Sequence, residues 1–123
     1  MASIFIGKTG LRHRYRDLVY TNINSATNAT NAILIETFTQ EARLCYFFNS
    51  LDIDLSIWVV HPDADSSVVA NRLKLFEMPA NYNLNYDLQA ANLSFDVGMT
   101  MFVSKAPSAP AATVGKFRIV YYG

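Results

Sequence analysis

The sequence predicts an all-β fold, built as a single sandwich domain of jelly-roll-like type. Three observations predict it. Apolar residues recur at every second position along much of the chain, turn-forming residues separate these runs, and alternation dominates over helical periodicity. In residues 53–59 the odd positions are aliphatic, and in residues 82–88 the even positions are apolar. Both patterns are typical of strands with one buried face.

Eight short segments carry this pattern, each rich in β-branched or aromatic residues and bounded by turn formers. They are residues 18–20, 32–38, 43–48, 53–59, 72–76, 82–88, 99–103 and 116–122. Their spacing is typical of sandwiches and barrels. The apolar sides of the runs predict a core that contains Leu55, Ile57, Leu84, Tyr86, Met101, Phe117 and Ile119.

Residues 66–77 are the best helical candidate, because Val69, Leu73 and Phe76 could share one helix face. The alternation of Leu73 and Leu75 competes with that interpretation, and Pro79 limits any helix to a short piece. A strand is favoured here, and helix is expected to be minor overall.

The segment after the proline-containing loop 106–112 is expected to lie inside the sheet and not to form a tail. It enters through Gly115 and then alternates. One face would carry Phe117, Ile119 and Tyr121, and the other Arg118, Val120 and Tyr122.

The composition indicates one domain with a neutral, polar surface. The chain has 123 residues, of which 51% are hydrophobic and only 16% are charged, and its formal net charge is zero. An average soluble protein has about 25% charged residues. Little repulsion between copies favours association, so we expect a homo-oligomer that works packed against neighbours. The alternative is a monomer with an Asn-rich surface.

Residues 1–16 are predicted to form an extended N-terminal arm ahead of a sandwich over residues 17–123. No apolar run approaches membrane-spanning length, so we expect a soluble protein made in the cytoplasm, without a membrane partner. The single Cys45 lies in an apolar run and is expected to be a small buried hydrophobe.

The arm contains the main charge cluster of the chain, in which Arg12, Arg14 and Arg16 would project to one side of an extended segment. One interpretation is an arm that docks on an acidic partner. The other is a solvated strand edge on which charge blocks stray pairing. We expect no nucleic-acid partner, because the chain as a whole is neutral, with a pI of about 6.7.

No constellation of residues indicates a reaction, a metal or a cofactor. Gly7-Lys8-Thr9 resembles the end of a phosphate-binding loop, but the first glycine of that motif is missing. Asp52, Asp54, Asp63 and Asp65 are interpreted as turn carboxylates that bond to backbone, because the ligand order of a calcium loop is absent. We therefore expect a protein that is not an enzyme.

The stretch from about residue 32 onwards has a characteristic order of strand and loop segments. An early strand pair ends in residues 49–55, a polar-apolar strand covers 83–86, residues 96–105 follow, and a small-residue loop leads to Gly115. In this order of segments the chain resembles small virion proteins of tailed bacteriophages, especially capsid decoration and cement proteins. The resemblance implies a non-enzymatic structural protein of the virion, made in the host cytoplasm. Its implied partners are further copies and the major capsid protein or other virion proteins.

A carbohydrate- or receptor-binding β-module of a phage fibre or baseplate is the alternative function. Its stacking platform would come from Trp58, Tyr82, Tyr86, Tyr121 and Tyr122. Several coplanar rings on a free face would favour a sugar site. Burial of these rings in the sandwich or between subunits would favour an assembly protein.

Overall fold

The fold is a β-sandwich of eight antiparallel strands, seen in a computed structural model that describes residues 13–91 and 93–122. The strands are β1 (His13–Val19), β2 (Ile33–Thr37), β3 (Leu44–Asn49), β4 (Leu55–Val60), β5 (Leu73–Met78), β6 (Tyr82–Asp87), β7 (Thr100–Lys105) and β8 (Lys116–Tyr122). Within these residues, helix is confined to short turns: α1 (Tyr20–Ile23) and two 3₁₀ turns, Val69–Asn71 and Gln89–Ala91.

The strands form two four-stranded sheets. Sheet A has the order β1-β8-β3-β6, and sheet B has the order β2-β7-β4-β5. The predicted all-β sandwich is therefore confirmed, whereas its jelly-roll type stays a prediction.

The core lies between the inner faces of the two sheets, as the alternation predicts. Of the predicted core residues, five are fully buried: Leu55, Ile57, Met101, Phe117 and Ile119. Leu84 and Tyr86 are only half-buried. Both belong to β6, an edge strand, where the sandwich is open on one side.

Two local predictions are corrected and one is confirmed. Residues 66–77 contain one 3₁₀ turn followed by β5, so the strand favoured there is confirmed. Tyr20, expected in a strand, begins the short helix α1. The boundary predicted after residue 16 falls within β1, which pairs with β8 from His13 onwards, so residues 13–16 belong to sheet A and not to an arm. Residues 1–12 lie outside the described part of the chain.

Loops cover part of the outer face of sheet B. Ser56 and Phe102 point to this face and are almost completely buried. The guanidinium of Arg72 lies 4.1 Å from the centre of the Phe102 ring. Arg72 also donates hydrogen bonds to the carbonyl oxygens of Ala29 (2.7 Å) and Ser66 (3.1 Å), and so holds the covering loops together. The region of sheet B around Ser56 and Phe102 is therefore closed to solvent.

Candidate interaction surfaces

The outer face of sheet A carries a continuous apolar patch, which we call the aromatic face. It consists of Leu44, Tyr46 and Phe48 on β3 and Val120 and Tyr122 on β8. All five side chains are half-buried, whereas their neighbours in sequence on both strands alternate into the core. The two strands are paired in the centre of the sheet, so the alternation of each places its outward residues side by side.

The rings of the aromatic face pack against one another and are not coplanar. The centres of Tyr46 and Phe48 are 6.3 Å apart with an interplanar angle of 32°. Tyr46 and Tyr122 meet edge to face, at 5.9 Å and 87°. The face is therefore a corrugated apolar surface.

An open groove of about 420 Å³ lies at one end of this face, lined by Phe48, Ser50, Lys116, Arg118 and Val120. Its polar rim is an ion cluster. Arg118 donates two hydrogen bonds to the carboxylate of Asp17, at 2.7 and 2.9 Å, and Lys116 Nζ lies 3.6 Å from Asp17 Oδ2. The hydrogen bond from Arg118 holds the pKa of Asp17 below its ordinary value. Asp17 is thus ionised at neutral pH, and the rim carries one positive charge in excess.

A second groove, of about 480 Å³, lies between the edge strands of the two sheets, β5 and β6. We call it the edge groove. Its lining is mostly apolar: Leu75, Phe76, Glu77, Met78, Pro79, Tyr82, Leu84 and Tyr86. Tyr82 is 47% exposed there, whereas Tyr86 packs on Phe76 with ring centres 5.8 Å apart.

The predicted aromatic contact residues do not form one face. Tyr82 and Tyr86 line the edge groove, and Tyr122 lies on the aromatic face. Tyr121 is fully buried, so its assignment to a contact face is wrong. The alternation of β8 turns its ring into the core, where it packs edge-on against Phe38.

Trp58 lies apart from the other predicted contact rings, on the outer side of sheet B. Its Nε1 donates a hydrogen bond to Ser104 Oγ (3.0 Å), and Lys74 Nζ lies 5.3 Å from the ring centre. The Trp58 ring is thus held by two contacts within its own chain, one with Ser104 and one with Lys74.

The predicted arginine row is only partly described. Arg12 lies outside the described residues, and the backbone of Arg14 pairs with Tyr121 in sheet A. Arg16 Nε lies 3.5 Å from Glu36 Oε1 at the edge of the sandwich. The arginines at 14 and 16 are thus part of a strand, and Arg16 has a partner within the fold.

Glu36 is a buried carboxylate that the sequence analysis missed. A bulge in β2 between Leu34 and Glu36 reverses the alternation, so that Glu36 is only 6% exposed. Its Oε2 accepts a hydrogen bond from the Tyr121 hydroxyl (2.7 Å), and its Oε1 accepts one from the Thr37 N–H (3.0 Å). Through Tyr121 and Arg16, Glu36 joins sheet A to sheet B near the β1–β2 edge.

We expect Tyr121→Phe to lower the free energy of unfolding by about 1.5–3 kcal/mol, because it removes a hydrogen bond to a buried carboxylate. Tyr82→Phe is the matched control, since Tyr82 is 47% exposed and should lose little. Urea unfolding of both variants measures the difference. Equal stability of the two variants would show that the Tyr121–Glu36 bond contributes nothing.

Among the clustered carboxylates, Asp65 accepts from the backbone of its own turn, as predicted, whereas Asp54 and Asp52 accept from distant segments. Asp65 Oδ1 accepts from the Ser67 N–H (2.9 Å), and Asp54 Oδ1 accepts from the Ala80 N–H (2.9 Å). The Asp52 carboxylate accepts hydrogen bonds from the backbone N–H and from the hydroxyl of Thr113. Within residues 13–91 and 93–122, no group of three or more His, Cys, Asp or Glu side chains could hold a metal ion.

Cys45 is completely buried, and burial raises the pKa of its thiol far above the ordinary value. It is thus the small buried hydrophobe that the sequence predicts. In the described part of the chain, no helix is long and apolar enough to cross a membrane.

No model of a known protein family matches the chain, and no curated protein matches its sequence. Solved structures with a similar backbone include the hydroxypropylphosphonic acid epoxidase from S. wedmorenis. It is 12% identical with a TM-score of 0.46, and the match covers 90% of this chain and 42% of that one. A cobalt(II) HppE in complex with substrate is 11% identical with a TM-score of 0.43, over 90% and 44% of the two chains.

The coat protein dimer of Tobacco streak virus is 13% identical with a TM-score of 0.31, over 98% of this chain and 88% of that one. This chain spans less than half of the length of the two epoxidase structures. At these identities and TM-scores no function follows from the likenesses.

Proposed function

We propose that this chain is a non-enzymatic virion structural protein of the capsid decoration or cement type, which self-associates and binds a larger protein lattice. The observation that carries the proposal is the aromatic face. A contiguous apolar patch on the surface of a protein marks an interaction site, whereas scattered apolar residues do not.

The low charge of the chain supports the same function. With only 16% charged residues and no net charge, the surface offers little repulsion to copies or to a neutral lattice. The ion cluster of Asp17, Lys116 and Arg118 borders the aromatic face and would supply the charged part of the contact. We assign that part to this cluster because it borders the aromatic face, whereas Arg16 lies beside Glu36 at the β1–β2 edge of the sandwich.

Ring geometry favours an assembly protein over a carbohydrate-binding module. A sugar platform needs a flat ring exposed on one side, whereas Tyr46 and Tyr122 meet at 87°. Tyr121 is buried in the core. Only Tyr82, among the aromatics predicted for a sugar site, is a large exposed ring, and one ring makes no platform.

We also propose that the sandwich is a jelly roll. The strand pairs β1–β8, β2–β7, β3–β6 and β4–β5 are all antiparallel, as in one long hairpin that has been rolled up. The pairs β3–β8 and β4–β7 then close the two sheets. This order supports the proposal, and jelly rolls serve in viral capsids as well as in lectins and cupins.

The test is to mix the purified protein with undecorated capsids of its source particle and to measure co-sedimentation. We expect wild type to bind and Phe48→Lys or Val120→Lys to weaken binding at least about tenfold, because a charge is placed in an apolar contact. Leu34→Lys is the matched control, since Leu34 is 49% exposed on sheet B and should bind as wild type does.

Absence of binding by wild type would contradict the decoration role. Binding by Phe48→Lys and Val120→Lys that equals that of the control would contradict the role of the aromatic face and leave the decoration role standing.

A further inference from the structure

We propose that β6 is the self-association edge of this protein, and that two copies pair their β6 strands antiparallel about a two-fold axis. The inference rests on the self-association in the proposed function and names the surface responsible. The two sheets end in four edge strands, β1 and β6 in sheet A and β2 and β5 in sheet B.

Three of these edges carry features that discourage pairing with another chain. The sequence of β1 contains Arg14, Arg16 and Asp17. A bulge interrupts β2 between Leu34 and Glu36. In β5 the register to β4 shifts, and the strand carries Lys74 and Glu77. Charges and bulges are the means by which native sheets protect their edges.

The β6 edge lacks these features. It pairs with β3 over six consecutive positions without a register shift, and it contains no Lys, Arg or Pro. Its single charge, Asp87, lies at the end of the strand. Among the described residues no second strand pairs with it. A regular edge of this kind is a template for another strand and a risk of aggregation unless a specific partner covers it.

The backbone direction of β6 follows from the ladder of sheet A. Ser50 continues the β3–β8 register and donates its N–H to the carbonyl of Lys116 (3.0 Å). Because successive residues of a strand direct their backbone groups to opposite sides, Cys45, Phe47 and Asn49 must face β6. Their partners are the even-numbered residues of β6. The N–H and C=O groups of residues 83, 85 and 87 therefore point to the open edge.

These outward residues are complementary to themselves. In an antiparallel pair centred on Asn85, Asn85 of one copy lies opposite Asn85 of the other, and Asn83 lies opposite Asp87. Every outward N–H then finds a C=O, and no like charges meet. On the inner face the same register places Leu84 opposite Tyr86. Both side chains are half-buried, and both line the edge groove, so the second copy would cover apolar surface that is now open.

The two-fold arrangement also explains where growth would stop. An isologous contact uses the same edge in both copies, so the dimer has no free β6 edge. A two-fold axis perpendicular to the sheet joins the two copies of sheet A into one eight-stranded sheet. Both aromatic faces then lie on the same side of the joined sheet, so both can contact one lattice.

The experiment measures the oligomeric mass of the full chain by sedimentation equilibrium. Wild type is expected to dimerise. Asn85→Pro removes an outward N–H without touching the bonds to β3, and Asn85→Lys brings two like charges together. Each should weaken the dimer at least about tenfold. Asn85→Ser keeps the N–H and adds no charge, so it should dimerise as wild type does. Far-ultraviolet circular dichroism should be the same for wild type, Asn85→Lys and Asn85→Ser.

Association of Asn85→Lys as strong as that of wild type would overturn the inference. The proposed function would stay intact, because another surface would then join the copies. Loss of association on deletion of residues 2–11, with Asn85→Lys still dimeric, would assign the contact to that segment instead. A wild type that is monomeric at all concentrations would overturn both the β6 contact and the self-association.

Discussion

Replacing Ile57 by Asp is expected to leave the protein unfolded. Ile57 has no exposed surface, and it lies in β4, which has a strand on either side. Its cross-strand neighbours are Val103 on β7 and Phe76 on β5. None of these can pair with a carboxylate, so the charge would be buried alone. That costs several kcal/mol, against a total stability of about 5–15 kcal/mol.

Two variants with the same aliphatic-to-Asp change form a graded control. Leu34→Asp is expected to be tolerated, because Leu34 is 49% exposed. Leu84→Asp should lie between the two, because Leu84 is half-buried on the edge strand β6. Circular dichroism and urea unfolding give the order of stability. Loss of structure in Leu34→Asp, or normal folding of Ile57→Asp, would mean that the two faces of sheet B are wrongly assigned.

Gly115→Ala is the second change with a large expected effect. Gly115 has a φ of +95°, a value that residues with a side chain rarely adopt. A methyl group at this position would overlap the carbonyl oxygen of Ser50. That oxygen cannot move away easily, because Ser50 is bound to Lys116 through both its N–H and its hydroxyl. We expect the free energy of unfolding to fall by at least about 3 kcal/mol.

Gly98→Ala separates the two causes. Gly98 also has a positive φ, of +90°, but the nearest atom to an added methyl group is the Cβ of Pro62, at 3.3 Å. Backbone strain of about 1–3 kcal/mol then dominates, because Pro62 needs to shift by only a few tenths of an ångström. Urea unfolding should therefore rank Gly115→Ala clearly below Gly98→Ala. Equal losses in both would show that close approach to Ser50 does not constrain Gly115.

The sequence by itself determined the strands and most of their faces. Alternation is a local property of an extended backbone, so it could be read without knowing the partner strands. In β8, Phe117, Ile119 and Tyr121 are buried while Val120 and Tyr122 are half-buried, as the pattern predicts. The pattern was ambiguous for residues 66–77, because helical and alternating periodicities overlap there and a 3₁₀ turn precedes the strand.

The tertiary structure alone decided which surfaces are available. All residues of β3 except its last are apolar or aromatic, so its sequence could not show that Tyr46 and Phe48 point outward. Likewise a bulge in β2, not its alternation, places Glu36 beside Tyr121. The predicted core residues Leu84 and Tyr86 are half-buried because strand order makes β6 an edge. Strand order, bulges and covering loops depend on contacts between distant segments, and a local pattern carries no information about them.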